Sequence, residues 1–169
     1  MAKWGSIRNK LENEYLAHSL RGHIQYVAVS YSKSHDHEGR FAVRYDGKEI
    51  FKSDGFKWRW EYFENYYSNL EKNKDMSHNE LWKTSYNETI KDGAFDQHCF
   101  YKAFEEFDNQ SIEKSLNSEN AIVRMLSLLD RRTGKRRLVS MKDRMENEPD
   151  WIKLFYRLRI NAEKIQICG

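Results

Sequence analysis

The hydrophobic period of this chain changes from two residues to that of a helix at Asp54-Gly55, and that change decides what it can fold into. Before it, Phe41, Val43 and Tyr45 alternate with Ala42 and Arg44, the two-residue period of a half-buried strand. Residues 23–31 (HIQYVAVSY) are rich in β-branched and aromatic side chains and predict a preceding strand. Asp46-Gly47, both tolerant of positive φ, predicts a tight hairpin that returns the chain into a third strand over 48–52. After Asp54-Gly55, Phe56, Trp60, Phe63, Tyr67 and Leu70 step by four, three, four and three, a helical stripe.

The rest of the chain reads as helices on both sides of that meander. Trp4, Ile7, Leu11 and Tyr15 predict a helix over 4–18, broken at Arg21-Gly22. Ser77 and Glu80 have the form of a capping box, opening a helix with Trp82, Tyr86 and Ile90 on one side and ending at Asp92-Gly93. Phe100, Ala103, Phe104 and Phe107 form the next stripe, followed by a polar stretch over 108–120. Ala121, Ile122, Met125, Leu128 and Leu129 predict another helix, closed near Gly134 as its C′ residue. Pro149 starts a last helix carrying Trp151, Phe155, Leu158 and Ala162. Strands and helices are segregated, so the expected class is α+β. An N-terminal helix and a three-stranded antiparallel β-meander precede four to five helices packed on the sheet. One proline and no Gly/Ser-rich linker leave residues 1–169 as one expected domain. The expected core contains Trp4, Leu11, Trp60, Phe63, Phe104, Leu128 and Phe155.

A 14% aromatic content supplies a large burial term and excludes disorder. The net charge of +3 is too small to imply a polyanion partner by itself. Its distribution is uneven: residues 1–117 carry 17 Lys+Arg against 19 Asp+Glu, and residues 118–169 carry 12 against 7. Two cysteines, Cys99 and Cys168, give no disulfide framework or zinc spacing; Cys99 falls in a helical stripe as a small core residue. The N-terminus lacks an apolar signal region, and no apolar run reaches the roughly 20 residues of a membrane span. The expected location is the cytoplasm, without a membrane partner.

Three features could carry chemistry. His35, Asp36, His37, Glu38 and Arg40 crowd two imidazoles and two carboxylates into a polar loop, all types that bind divalent metals. Strand alternation would put His35 and His37 on one side and Asp36 and Glu38 on the other, so no metal site is expected there. The plainer reading is a solvated hairpin loop with Gly39 permitting the turn, or a polar binding loop. Arg131, Arg132, Lys135, Arg136 and Arg137 place five cations in seven residues, a pattern able to grip phosphates or an acidic protein. Arg131 and Arg132 are also what the carbonyl end of a helix favours, and Asp143, Glu146, Glu148 and Asp150 are near enough in sequence to neutralise the patch. Trp58, Tyr62 and Tyr66 lie opposite the Phe56 stripe. A helix aromatic on both faces is either fully buried or has one adhesive face; burial is the expectation.

No phosphate loop, nucleophile elbow, zincin helix or C-x-x-C occurs: Gly134-Lys135 lacks both the earlier glycine and the following hydroxyl. His18, His23, His78 and His98 are scattered and read as surface or capping residues. The segments Ser19-Leu20-Arg21-Gly22, His35-Asp36-x-Glu38-Gly39-Arg40, Asp46-Gly47-Lys48-Glu49-Ile50 and Asp130-Arg131-Arg132-x-Gly134-Lys135-Arg136 together resemble a family of small, uncharacterised bacterial proteins. That resemblance implies a bacterial, cytoplasmic protein and brings no catalytic residue or cofactor. The leading expectation is a non-enzymatic protein-interaction or regulatory module with a protein partner and no cofactor. The alternatives are a nucleic-acid or other polyanion binder using 131–137, and a metal-dependent or acid–base hydrolase using 34–40.

Overall fold

A computed structural model describes residues 3–33 and 38–166. Helix α1 (Trp4–Asn9) runs into a π-helical turn over Lys10–Tyr15, so the expected 4–18 helix widens midway. Leu16 N–H donates to Leu11 O at 3.0 Å across that wide turn. A 3₁₀ turn, His18–Leu20, leads into the sheet.

Strands β1 (Ile24–Ser30), β2 (Gly39–Tyr45) and β3 (Lys48–Asp54) form an antiparallel meander in the order β1-β2-β3. Asp46 (φ 49°) and Gly47 (φ 80°) both take the left-handed conformation that the tight β2–β3 turn demands. The register sets Tyr26, Val43 and Phe51 abreast, with Ala28, Phe41 and Ser53 beside them, on one face. The other face carries Val27, Ala42 and Lys52, with Arg40 and Arg44 both paired to Glu49.

Eight helices follow among the described residues. Five are long: α2 (Gly55–Lys72), α3 (His78–Lys91), α4 (Gln97–Asp108), α6 (Ala121–Leu129) and α9 (Asp150–Ala162). Three are short: α5 (Ile112–Leu116), α7 (Lys135–Ser140) and α8 (Lys142–Met145). One cap is the one the sequence predicts, and Asp54 supplies another. Ser77 and Glu80 form the reciprocal capping box of α3, and the Asp54 carboxylate accepts from Lys57 N at 2.9 Å to start α2.

Helix α4 covers the inner face of the sheet. Phe100 stacks on Phe41 with centroids 4.0 Å apart, and Phe95 sits 5.5 Å from both Phe41 and Phe51. Helix α6 is buried all round except at Arg124 and touches α3, α4, α5 and α9, which is why its sequence is apolar on every side. Helix α9 closes the far side, with Trp151 stacked on Phe51 at 5.0 Å.

Of the expected core, Leu11, Phe104, Leu128 and Phe155 are buried. Trp4 is half-buried against Phe100 at 6.2 Å. Trp60 and Phe63 are not core residues, because the whole stripe to which they belong faces outward. Truncating Phe100 to Ala should therefore destabilise the fold by about 3–5 kcal/mol. Trp60→Ala should change the stability of the monomer by no more than about 0.5 kcal/mol. Chemical denaturation at low protein concentration checks both.

Candidate functional site: the outer face of helix α2

Helix α2 turns its polar side toward the protein. Asn65 Nδ2 donates to Thr89 Oγ1 at 3.0 Å, and Asn69 Nδ2 donates to Ser85 Oγ at 3.2 Å and Glu88 Oε2 at 2.6 Å. Ser85 and Thr89 are fully buried on α3, so this seam is a satisfied polar network rather than an apolar one. Trp58, Tyr62 and Tyr66 flank it half-buried, Trp58 stacking on Tyr62 at 5.4 Å. Burial pushes the Tyr62 hydroxyl above its ordinary pKa.

The opposite side is left in the open. Phe56, Trp60, Phe63, Tyr67 and Leu70 are between 43% and 78% exposed. The first four of them line a groove of about 470 Å³ together with Arg59 and Glu64. With roughly 200 Å² per large side chain, the stripe presents about 600 Å² of apolar surface, the upper end for a monomer. The sequence shows this stripe but not which way it points. The available signal is its width: two apolar positions per seven residues make a coiled-coil seam, narrower than the stripe of a core helix. The asparagines at Asn65 and Asn69, opposite a serine and a threonine on α3, supply the other half of that signal.

The polar loop gives less. His35, Asp36 and His37 lie outside the described residues. Glu38 pairs with Arg59 of α2, and Arg40 pairs with Glu49. Gly39 packs so closely that a Cβ there would lie 1.9 Å from Val29 O, so its role is steric. His18, His23, His78 and His98 are exposed on separate elements; His23 contacts Asp46 at 2.6 Å and His78 the Tyr66 hydroxyl at 3.3 Å. No group of three or more His, Cys, Asp or Glu placed to hold a metal occurs among the described residues.

The basic run is largely absorbed by the fold. Helix α6 ends at Leu129, and Gly134 is the N-cap of α7 (φ −75°), not the C′ residue of α6. Lys135, Arg136 and Arg137 thus open a helix, where the dipole disfavours cations, and acidic partners offset this. Lys135 Nζ lies 3.6 Å from Glu163, and Arg137 donates to Glu113 at 3.1 Å. Arg132 forks onto buried Asp130 at 2.9 and 2.7 Å and lies 4.8 Å above the Tyr15 ring. The neutralising acids are thus Asp130, Glu113 and Glu163 rather than the 143–150 group; Glu148 is held by Arg124 at 2.8 and 2.9 Å. Among the described residues, Arg131 and Arg136 are the members of the run without a side-chain partner. The described part of the 34–40 loop and the run lie at opposite ends of α4. Gly39 packs near Gln97 and Arg132 lies over Phe107, about 15 Å along the helix axis.

The loop that carries the run is fastened from within. Arg159, 3% exposed, donates to the carbonyls of Leu129, Asp130 and Thr133, each at 3.1 Å, and pairs with Glu163 at 3.2 Å. Burial lowers its pKa against the pull of Glu163 and Asp130. Ala17 N–H donates to Leu129 O and Arg131 N–H to Tyr15 O, tying the loop to the π turn. Tyr15 in turn donates to Asp108 at 2.6 Å; burial foremost, with that bond, pushes its hydroxyl up to about 12. Burial would raise the Asp108 carboxyl, but bonds from Lys10 and Tyr15 outweigh it and hold the group below its ordinary value.

A lysine at 159 cannot span three carbonyls, so Arg159→Lys should cost about 2–4 kcal/mol. Arg136→Gln should change stability by less than about 0.5 kcal/mol. Urea titrations of the two variants separate the structural cation from the solvated one.

No curated protein and no solved structure matches the chain. A family model matches residues 3–160, almost the whole of the described sequence. The chain belongs to the SF0329 protein family, an uncharacterised family.

Proposed function

We propose that this protein acts by contact, as a protein-interaction module whose docking surface is the outer face of α2. One observation carries the reading: α2 spends its asparagines on α3 and presents Phe56, Trp60, Phe63, Tyr67 and Leu70 to solvent. Aromatic side chains of this kind dominate binding energy wherever they are desolvated by a partner. The helix is already anchored on α3, so docking would not have to order it, and that lowers the cost of association. The motif resemblance adds a bacterial cytoplasm as the setting.

The polyanion reading has less support. Lys135, Arg137 and Arg132 are committed to carboxylates within the fold, and two unpaired arginines make few phosphate contacts. The hydrolase reading depends on His35, Asp36 and His37, which lie outside the described residues.

A photo-cross-linking amino acid placed at Trp60 in cells should join the chain to a polypeptide. The same group at Arg136 should give little. Adding Phe63→Asp should abolish the Trp60 product while leaving the fold intact by circular dichroism. Adducts from position 136 to nucleic acid, with none from position 60, would overturn the proposal.

A further inference from the structure

We infer that the occupant of this surface is a second copy of the chain, with the two α2 helices packed antiparallel across a two-fold axis near Phe63. This inference rests on the interaction reading above and names its partner. The spacing of the stripe is nearly symmetric about Phe63. Phe56 and Leu70 lie seven residues to either side, and Trp60 and Tyr67 three and four. Reversing the helix therefore sets Phe63 against itself, Phe56 against Leu70 and Trp60 against Tyr67 of the other copy. A surface complementary to its own reverse makes a closed, isologous dimer. The four-three-four-three step is the seam of a left-handed helix pair crossing at a shallow angle.

The charges beside the seam favour the same orientation. Lys57 lies at the N-terminal end and Glu71 at the C-terminal end, on the same edge of the stripe. Lys57 has only a loose 3.7 Å pair with Glu61. An antiparallel partner brings Lys57 to Glu71 at both ends, whereas a parallel one leaves Lys57 and Glu71 at opposite ends of the pair. Glu64, beside the axis, meets its own copy and is the one repulsive contact. The area is also sufficient: about 600 Å² from the stripe, with the stems of Lys57, Arg59 and Glu64 around it, approaches the roughly 800 Å² per partner of a standard interface. A membrane surface fits less well, because α2 carries three cations and three anions and offers anionic lipid no net attraction.

Sedimentation velocity of the whole chain, up to about 100 μM, tests this directly. The wild type should dimerise, and Phe63→Asp should raise the dimer Kd by at least about thirtyfold with an unchanged circular dichroism spectrum. Lys57→Glu and Glu71→Lys should each weaken the dimer, and the two together in one chain should restore it. Glu64→Gln should tighten it. A dimer indifferent to these changes would overturn the inference. So would a monomeric wild type. If that monomer still cross-links from position 60 to a different polypeptide, the interaction reading survives and self-association does not. If it instead binds liposomes through Phe63, or gives no adduct at all, both fail.

Discussion

The stack of Phe41 on Phe100 is the contact on which the rest of the arrangement depends. A small meander is stable only with an apolar face to bury, and this pair at 4.0 Å joins the middle strand to the helix that covers that face. From there the aromatic contacts run outward: Tyr26 and Trp4 against Phe100, then Phe95 and Phe51 to Trp151 and Phe155. One cluster of buried side chains extends from Ile7 to Ile160. With the inner sheet face taken by α4 and the interior filled by α6, α2 leaves the end of β3 and packs on α3 through its asparagines, with Trp58 beside them reaching the core. The α3 surface that meets it is polar. That geometry leaves the aromatic side of α2 outside.

Much of this was legible in the residues. The period change at Asp54-Gly55, the Asp46-Gly47 turn and the Ser77–Glu80 box each follow from local chemistry that tertiary packing did not override. Helix α6 and the Phe100, Ala103, Phe104 and Phe107 stripe were likewise readable, because every apolar position in them has an interior to face. The orientation of α2 was not. Hydrophobic periodicity reports that a face exists, and both Phe56–Leu70 and Trp58–Tyr66 satisfy it. The narrow width of the Phe56–Leu70 stripe is a hint, but deciding between them takes the identity of the neighbour, here Ser85 and Thr89 on α3, which no local pattern contains. The width of the π turn at Lys10–Tyr15 is invisible for a related reason. Tyr15 is drawn off the regular helical path toward Asp108 and Phe107, more than ninety residues away in sequence.

The basic run shows how a charged motif can belong to folding rather than to binding. The Asp130 carboxylate accepts from Arg132, while Thr133 Oγ1 donates to Ser127 O and Arg159 to the carbonyls of Leu129, Asp130 and Thr133. A loop leaving a fully buried helix has several backbone oxygens with no water to meet, and a guanidinium answers three of them at once. In the sequence, Arg159 looks like any other cation of an amphipathic helix. Its partners are carbonyls, which carry no sequence signature, so neither the anchor nor the role of the motif could be read in advance.

Helix α2 faces its aromatic stripe outward and its asparagines inward. Hydroxyl-radical footprinting of the dilute chain, read residue by residue by mass spectrometry, measures this most directly. Trp60 and Phe63 should be heavily oxidised, with Phe41 and Phe100 protected. Trp60 and Phe63 as protected as Phe100, in a chain shown to be monomeric at that dilution, would place the stripe in the core and contradict that orientation.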